Sequence, residues 1–157
     1  MPEPIVYRMN RIRLTRRFTF EAAHALTHYD GACRHIHGHS YKLEVTIIGT
    51  PLNEEQHPKD GMVLDFGDLK TTVNTHVLQP LDHALVLREN SSPALLNVLQ
   101  EEGHKVLLTA FQPTCENLLL YIKDQLQPHL PAHVQLHSLK LWETENAFGE
   151  WYVSDNE

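Results

Sequence analysis

Apolar and polar residues alternate along two neighbouring stretches of the chain. In "RLTRRFTFEAAHAL", Phe18, Phe20, Ala22 and His24 fall at even positions. In "HGHSYKLEVTIIG", His37, His39, Tyr41, Leu43, Val45 and Ile47 fall at odd positions, with Ser40, Lys42, Glu44 and Thr46 between them. A period of two puts each set on one face of a strand, so the pattern predicts two half-buried strands. The first runs into the turn chemistry of "YDGACR", and the second ends at Gly49 and Pro51. Together they read as an antiparallel hairpin with a long connection. Past the polar loop "TPLNEEQHPKDG" the period changes. Leu69, Val73 and Val77 form one face of a helix that Asp65 caps and that ends by Pro80. Leu118, Leu119, Ile122 and Leu126 make the stripe of a second helix, capped by Thr114 and stopped by Pro128. The stretch from Leu85 to Phe111 is less regular, with "KVLLTAF" as a short strand candidate, and "VQLHSLKLWET" with "AFGEWYV" closes the chain as another hairpin. The order strand-strand-helix-helix-strand-strand describes an α+β fold, a four-stranded antiparallel sheet with two helices on one face. No repeat or linker interrupts it, and 157 residues suffice for one domain, 1–157, with its own core.

Charge and composition narrow the function. The formal net charge of -7 leaves no general basic surface for nucleic acid, and the short basic stretch from Arg11 to Arg17 reads as a solvated strand edge. No apolar run reaches the ~20 residues that span a bilayer. The opening "MPEPIVYRMNRIRL" lacks the apolar centre of a secretion signal, so a cytoplasmic protein is expected. In that setting Cys33 and Cys115 are expected as free thiols or metal ligands, not as a disulfide. The unusual feature is histidine: twelve in the chain, five of them between positions 24 and 39.

Parity makes His37 and His39 point to the same face of one strand, and His24 ends the inward face of the other. If the strands pair near these ends, three imidazoles converge. Three nitrogen ligands with a position left open is the composition of a catalytic metal site, whereas closed structural sites take four ligands and are rich in Cys. Cys33 is either a fourth ligand or a thiolate base beside the metal, and spacing alone does not choose. "HGHSYKLE" also fits the H-x-H-x(3-4)-E pattern of cupin metal sites. Glu44, however, lies five residues from His39 and faces the other way in an unbroken strand, and two helices fit a cupin poorly.

Weaker signals lie further on. Asp82 and His83 are adjacent, and an Asp that holds an imidazole fixes its tautomer; neighbours in a regular strand do not touch, so such a pair needs irregular backbone. Glu143 ends a strand among large apolar residues, where it is either solvated or a binding group for a flat guanidine-like edge. Glu116 sits in a first helical turn, where an acid suits the helix dipole in any case. No Gly-rich dinucleotide fingerprint occurs.

Taken together, "FTFEAAHAL", "CRHIHGHSYKLEVTI", "GMVLDFGDLK", "LDHALVL", "PTCENLLLYI" and "LWET" occur in the order and spacing of the 6-pyruvoyltetrahydropterin synthase superfamily, which the chain resembles from about Phe18 to Tyr152. The resemblance implies a tunnelling fold, in which trimers close a barrel and two trimers stack into a homohexamer with active sites between subunits. It implies that His24, His37 and His39 bind Zn2+, that Cys33 is the proton-abstracting base and not a ligand, and that His83 with Asp82 is a relay partner. It makes Glu143 the active-site carboxylate near the pterin, and Thr114 with Glu116 part of the pterin-anchoring pocket. The family's substrate is 7,8-dihydroneopterin triphosphate.

Animal-type pyruvoyl synthases keep five residues between the Cys and the H-G-H. Here Cys33 and His37 are separated by three, which resembles the bacterial 6-carboxytetrahydropterin synthases of queuosine biosynthesis. The expected reaction yields 6-carboxy-5,6,7,8-tetrahydropterin, acetaldehyde and triphosphate. The pyruvoyl-forming synthase and a non-catalytic metal or pterin binder are the alternatives. A branch that cleaves dihydroneopterin like an aldolase carries a Glu near the Cys, and no acid lies between Cys33 and His37. The segment from Arg88 to Phe111 is longer than in compact bacterial members, and "ETENAFGEW" lacks a basic residue expected in some relatives, so no triphosphate contact is assigned. His28 and His35 carry no assigned role.

Overall fold

The computed structural model describes residues 1–4 and 10–157; residues 5–9, within the opening segment read for a secretion signal, lie outside the described residues. Strands β1 (Ile12–His24) and β2 (His37–Gly49) pair antiparallel along their whole length, from Ile12 opposite Gly49 to His24 opposite His37. The inward face expected from parity is the buried one: Phe18, Phe20 and Ala22 on β1, and Tyr41, Leu43, Val45 and Ile47 on β2.

Helix α1 (Phe66–Val73) continues through a wide π turn (Asn74–Leu78) into the short α2 (Gln79–Leu81). Asp65 caps it by accepting a hydrogen bond from the Gly67 N–H at 2.6 Å. The helix outlasts its expected stop at Pro80 by one residue. Proline lacks an N–H and its ring collides with the carbonyl four residues back, and a widened turn just upstream relieves both problems. Helix α4 (Cys115–Leu126) follows after β3 (Ala84–Arg88), α3 (Pro93–Glu101) and β4 (Val106–Thr109). Thr114 caps α4, and the hairpin of β5 (Val134–Thr144) with β6 (Ala147–Tyr152) ends the sheet.

The sheet has six strands in the order β4-β3-β1-β2-β5-β6, not the four expected, and it is mixed. β3 runs parallel to β1, with Ala22 opposite Ala84 and His24 opposite Val86, and β4 runs parallel to β3. The free edge of β1 explains the addition: its backbone groups near Ala22–His24 need hydrogen-bond partners, and β3 brings Ala84, Val86 and Leu87 into burial while supplying them. Parallel neighbours need a crossover, which α3 provides. Apolar runs of four or five residues carry too little periodicity to be told from helix, which hid β3 from the sequence reading. α3 itself buries no residue and stands outside the core, so the expected pair of helices on one face is joined by a third element elsewhere. Leu69, Val73, Val77, Leu118, Ile122 and Leu126 from α1, the π turn and α4 pack on Phe20, Leu43, Val45, Leu139 and Leu141 of the sheet. Full burial of each such side chain contributes ~1.5–3 kcal/mol. Among the described residues no helix is long and apolar enough to cross a membrane.

Candidate active site

At the open end of the β1–β2 hairpin the register places His24 directly opposite His37 and Ala22 opposite His39, so all three imidazoles rise from one face. Their candidate ligand atoms lie within 4.8 Å of one another. His24 is 2% exposed, and its Nδ1 donates to the Pro113 carbonyl at 2.7 Å, while His37 Nδ1 donates to the His35 carbonyl at 2.7 Å. A carbonyl only accepts, so each ring donates from Nδ1, and in the neutral imidazole this leaves Nε2 as the lone pair for a ligand. The two Nε2 atoms lie 3.0 Å apart, which in the neutral rings sets lone pair against lone pair. His39 Nε2 is buried with no hydrogen-bond partner. Two facing lone pairs and an orphaned buried nitrogen are costly for a protein alone and are resolved by a cation among them. A tetrahedral ion with metal–nitrogen bonds of ~2.05 Å separates its ligand nitrogens by ~3.4 Å. The observed spacings bracket that value, and the cluster could hold a metal ion.

Electrostatics favour the ligating form of His39. Burial lowers the pKa of His39, opposed by the nearby Glu143 carboxylate and reinforced by His24 and His37. His39 is therefore neutral at pH 7. Glu143 Oε1 lies 3.6 Å from His39 Nε2, a Coulombic contact and not a hydrogen bond. Glu143 is there because β5 continues its inward series Leu139, Leu141, Glu143, and because the β5–β6 register skips it between Trp142 and Thr144. Such an extra residue re-aims a side chain and recurs beside active sites. Tyr41, 1% exposed and stacked on Phe20 with centroids 4.9 Å apart, completes the floor. Its hydroxyl makes no hydrogen bond of good geometry. Burial first, then Glu143, raises its pKa far above that of an ordinary tyrosine, so it remains a neutral donor.

Cys33 sits half-exposed on the single turn Ala32–Arg34, between β1 and the His37 backbone. The loop is tied down twice. Leu26 N–H donates to the Cys33 carbonyl at 2.9 Å. The Gln112 amide clamps Thr27, accepting from its N–H at 3.0 Å and donating to its carbonyl at 2.6 Å. Gln112 precedes the Pro113 carbonyl that orients His24, so one short segment fixes both the Cys33 loop and a candidate ligand. The sequence reading missed Gln112, Pro113 and Tyr41. Only Tyr41 was signalled, by its parity with His39. Thr114 follows Pro113, but its hydroxyl is engaged as the α4 cap, accepting from Asn117 N–H at 3.3 Å, and Glu116 is exposed in the first turn. Glu44 points to the outer face and pairs with Arg17 at 2.7 Å, away from the imidazoles.

Asp82 and His83 are not brought to the cluster. His83 adopts φ of 59°, the irregular backbone that adjacent residues need in order to touch, and its Nδ1 meets Asp82 Oδ2 at 3.0 Å. The Glu21 N–H donates to Asp82 Oδ1 at 2.9 Å; this bond is the main cause of the lowered Asp82 pKa, partly opposed by desolvation and aided by His83. The His83 side chain, 77% exposed, borders a cavity of about 530 Å3 with Glu21, Ala23 and Ser40, the outward positions of β1 and β2, and with His39. The three imidazoles share the inward parity of Ala22 and Tyr41, and His39 is the one among them that also lines this cavity.

The sequence model of the family described as 6-pyruvoyl tetrahydropterin synthase matches residues 13–153. Over 141 residues the chain is 33% identical to the 6-carboxy-5,6,7,8-tetrahydropterin synthase of Haemophilus influenzae, covering 88% of this chain and 97% of that protein. Over 146 residues it is 32% identical to the 6-pyruvoyl tetrahydrobiopterin synthase of Homo sapiens, covering 85% and 86% of the two chains. The solved structure of the Caenorhabditis elegans 6-pyruvoyl tetrahydropterin synthase shares the fold, with a TM-score of 0.66 at 24% identity over 94% of this chain and 99% of the other. Identity of this order across nearly the full length of both partners, on one fold and with the imidazole cluster in place, means that the chain belongs to the 6-pyruvoyl tetrahydropterin synthase family of enzymes.

Proposed function

We propose that this protein is a zinc-dependent 6-carboxy-5,6,7,8-tetrahydropterin synthase, a single-domain cytoplasmic enzyme acting on 7,8-dihydroneopterin triphosphate on a route to queuosine. The observation that carries it is the pair of Nε2 atoms on His24 and His37 beside the orphaned Nε2 of His39, a three-nitrogen cage with the Glu143 carboxylate at its rim. His24, His37 and His39 hold Zn2+ in this reading. Bound there, it supplies a Lewis acid that acidifies hydroxyl and neighbouring C–H groups of a substrate. Cys33 removes a side-chain proton as general base. Glu143, with the buried Tyr41 hydroxyl beside it, receives the N–H edge of the pterin, and the α4 N-terminus at Thr114 and Glu116 lines the pocket. The reaction needs no external redox partner. Triphosphate leaves C3′ by elimination, and the ring gains the two hydrogens that the side chain loses as it becomes a 1′,2′-dione. Water then splits the C1′–C2′ bond, leaving the carboxylate on the ring and releasing acetaldehyde.

His83, oriented by Asp82, handles a second proton transfer. Its exposure beside the outward positions of β1 and β2 supports a site assembled between copies of the chain, as in a homohexamer of two trimers, with one copy providing the cage and the next His83. The Haemophilus relative favours the carboxy product, as does the spacing of Cys33 from His37. The second reading, a pyruvoyl-forming synthase, is favoured by the nearly equal identity to the human relative. Product analysis after incubating the zinc-loaded protein with 7,8-dihydroneopterin triphosphate separates them. Acetaldehyde with 6-carboxytetrahydropterin is expected. Triphosphate release with 6-pyruvoyltetrahydropterin and no acetaldehyde selects the second reading, and absence of turnover removes both.

A further inference from the structure

The excursion β3–α3–β4 is longer than the expected architecture requires, and its far end returns to the Asp82–His83 turn. Lys105, at the entry to β4, donates from Nζ to the Asp82 carbonyl at 2.6 Å and to the Gln79 carbonyl at 2.6 Å. Its own backbone is anchored, because the Leu85 N–H donates to the Lys105 carbonyl at 2.9 Å. The Asp82 carbonyl belongs to the peptide that joins Asp82 to His83. The other end of that peptide, the His83 N–H, donates to the Glu21 carbonyl at 2.6 Å. One peptide plane is thus gripped from both sides, by Lys105 and by β1. It needs gripping, because His83 is a non-glycine residue at φ of 59°, a conformation that surrounding structure must enforce. Capping of the helix end accounts for the bond to Gln79. The bond to Asp82 acts instead on the plane that sets where the imidazole points. Lys105 and Leu99, from the same excursion, also wall the cavity that His83 faces.

We propose that Lys105 is a positioning residue: its ammonium group locks the Asp82–His83 peptide and thereby holds the His83 imidazole, with Nδ1 on Asp82, in its working orientation. The proposal rests on the reading of His83 as a proton-transfer group. The excursion on this view stabilises a reactive turn at the sheet edge as well as extending the sheet.

The test uses the full-length protein labelled with 15N-histidine, with the His83 signals identified by their loss in His83→Gln. Ring 15N shifts report which nitrogen carries the proton. In the wild type they are expected to show the Nδ1–H tautomer held by Asp82. In Lys105→Met they are expected to move toward the mixture seen in Asp82→Asn, and Lys105→Arg is expected to restore the wild-type pattern. Kinetically, Lys105→Met is expected to lower kcat by ~10- to 100-fold, the range for misplaced catalytic groups, with KM changed by less than ~2-fold. In the His83→Gln background it is expected to cost nothing further. An unchanged His83 tautomer in folded Lys105→Met protein, or an equal kcat loss with and without His83, overturns the proposal. Should the wild type turn over no pterin triphosphate, the proposed function fails, while the tautomer measurement still decides the role of Lys105.

Discussion

His24 and His37 face each other across 3.0 Å because each has given its other nitrogen to a backbone carbonyl, Pro113 in one case and His35 in the other. The carbonyls therefore select both tautomers before any ion arrives. Replacing His39 with Ala removes one nitrogen of three and leaves this preset pair, so metal affinity is expected to fall by more than ~100-fold, beyond the loss typical of an outer-shell partner. A chelator competition titration measures it, and retained affinity would sink the three-histidine cage. Cys33 makes a different prediction. It belongs to the turn and not to the cage, so Cys33→Ala is expected to keep its bound metal while turnover falls ~10²–10⁴-fold, the usual contribution of a general base. Metal analysis beside product formation checks both halves. Loss of metal along with turnover would return Cys33 to the role of ligand that its spacing also permits.

Among the elements, α4 carries the most weight for its length, since its buried stripe fills the core and the segment before it holds both His24 and the Thr27 clamp. Thr114→Ala removes the hydroxyl that accepts from the Asn117 N–H and is expected to cost ~1 kcal/mol, read as a lower urea midpoint with an unchanged slope. α1 offers a pH test. Lys59, bonded to Asp65 at 2.6 Å, and then the Gly67 N–H hold the Asp65 pKa below its ordinary value. A depressed carboxylate contributes stability above its unfolded pKa of ~3.9 and loses it as pH falls through the lower folded value. Melting temperatures taken between ~pH 5 and 2 are expected to fall less steeply in Asp65→Asn than in the wild type; parallel curves would show that the cap adds nothing to acid stability. Both caps were legible in the sequence, because a capping side chain acts on the N–H groups two or three residues ahead. The extension of the first helix past Pro80 was not, because a π turn depends on what the helix packs against.

At the scale of the whole molecule, the imidazole cage takes the inward parity of β1 and β2 while His83 stands beside their outward positions, and mixed assemblies test whether one copy supplies both. Co-expression of Cys33→Ala chains with His83→Gln chains is expected to yield assemblies that regain activity, since some interfaces combine an intact cage with an intact His83. Each variant alone is expected to keep only a small residual turnover. Purified mixed assemblies no more active than their parents would confine the site to a single chain.

The sequence by itself determined the β1–β2 hairpin, the convergence of His24, His37 and His39, the stripes of both long helices and their caps. These follow from local geometry, a period of two in strands and of 3.6 in helices, which any packing must respect. Only the tertiary structure decided the rest. Alternation cannot say that β3 and β4 join the sheet in parallel beside β1, or that the β5–β6 register skips Glu143 and leaves its carboxylate 3.6 Å from His39. Nor can it say that Pro113 orients His24 from 89 residues away, or that Lys105 closes on the peptide before His83. Each of these is a contact between segments distant in the chain. Such contacts are set by which edges and buried polar groups remain to be satisfied once the local elements have packed.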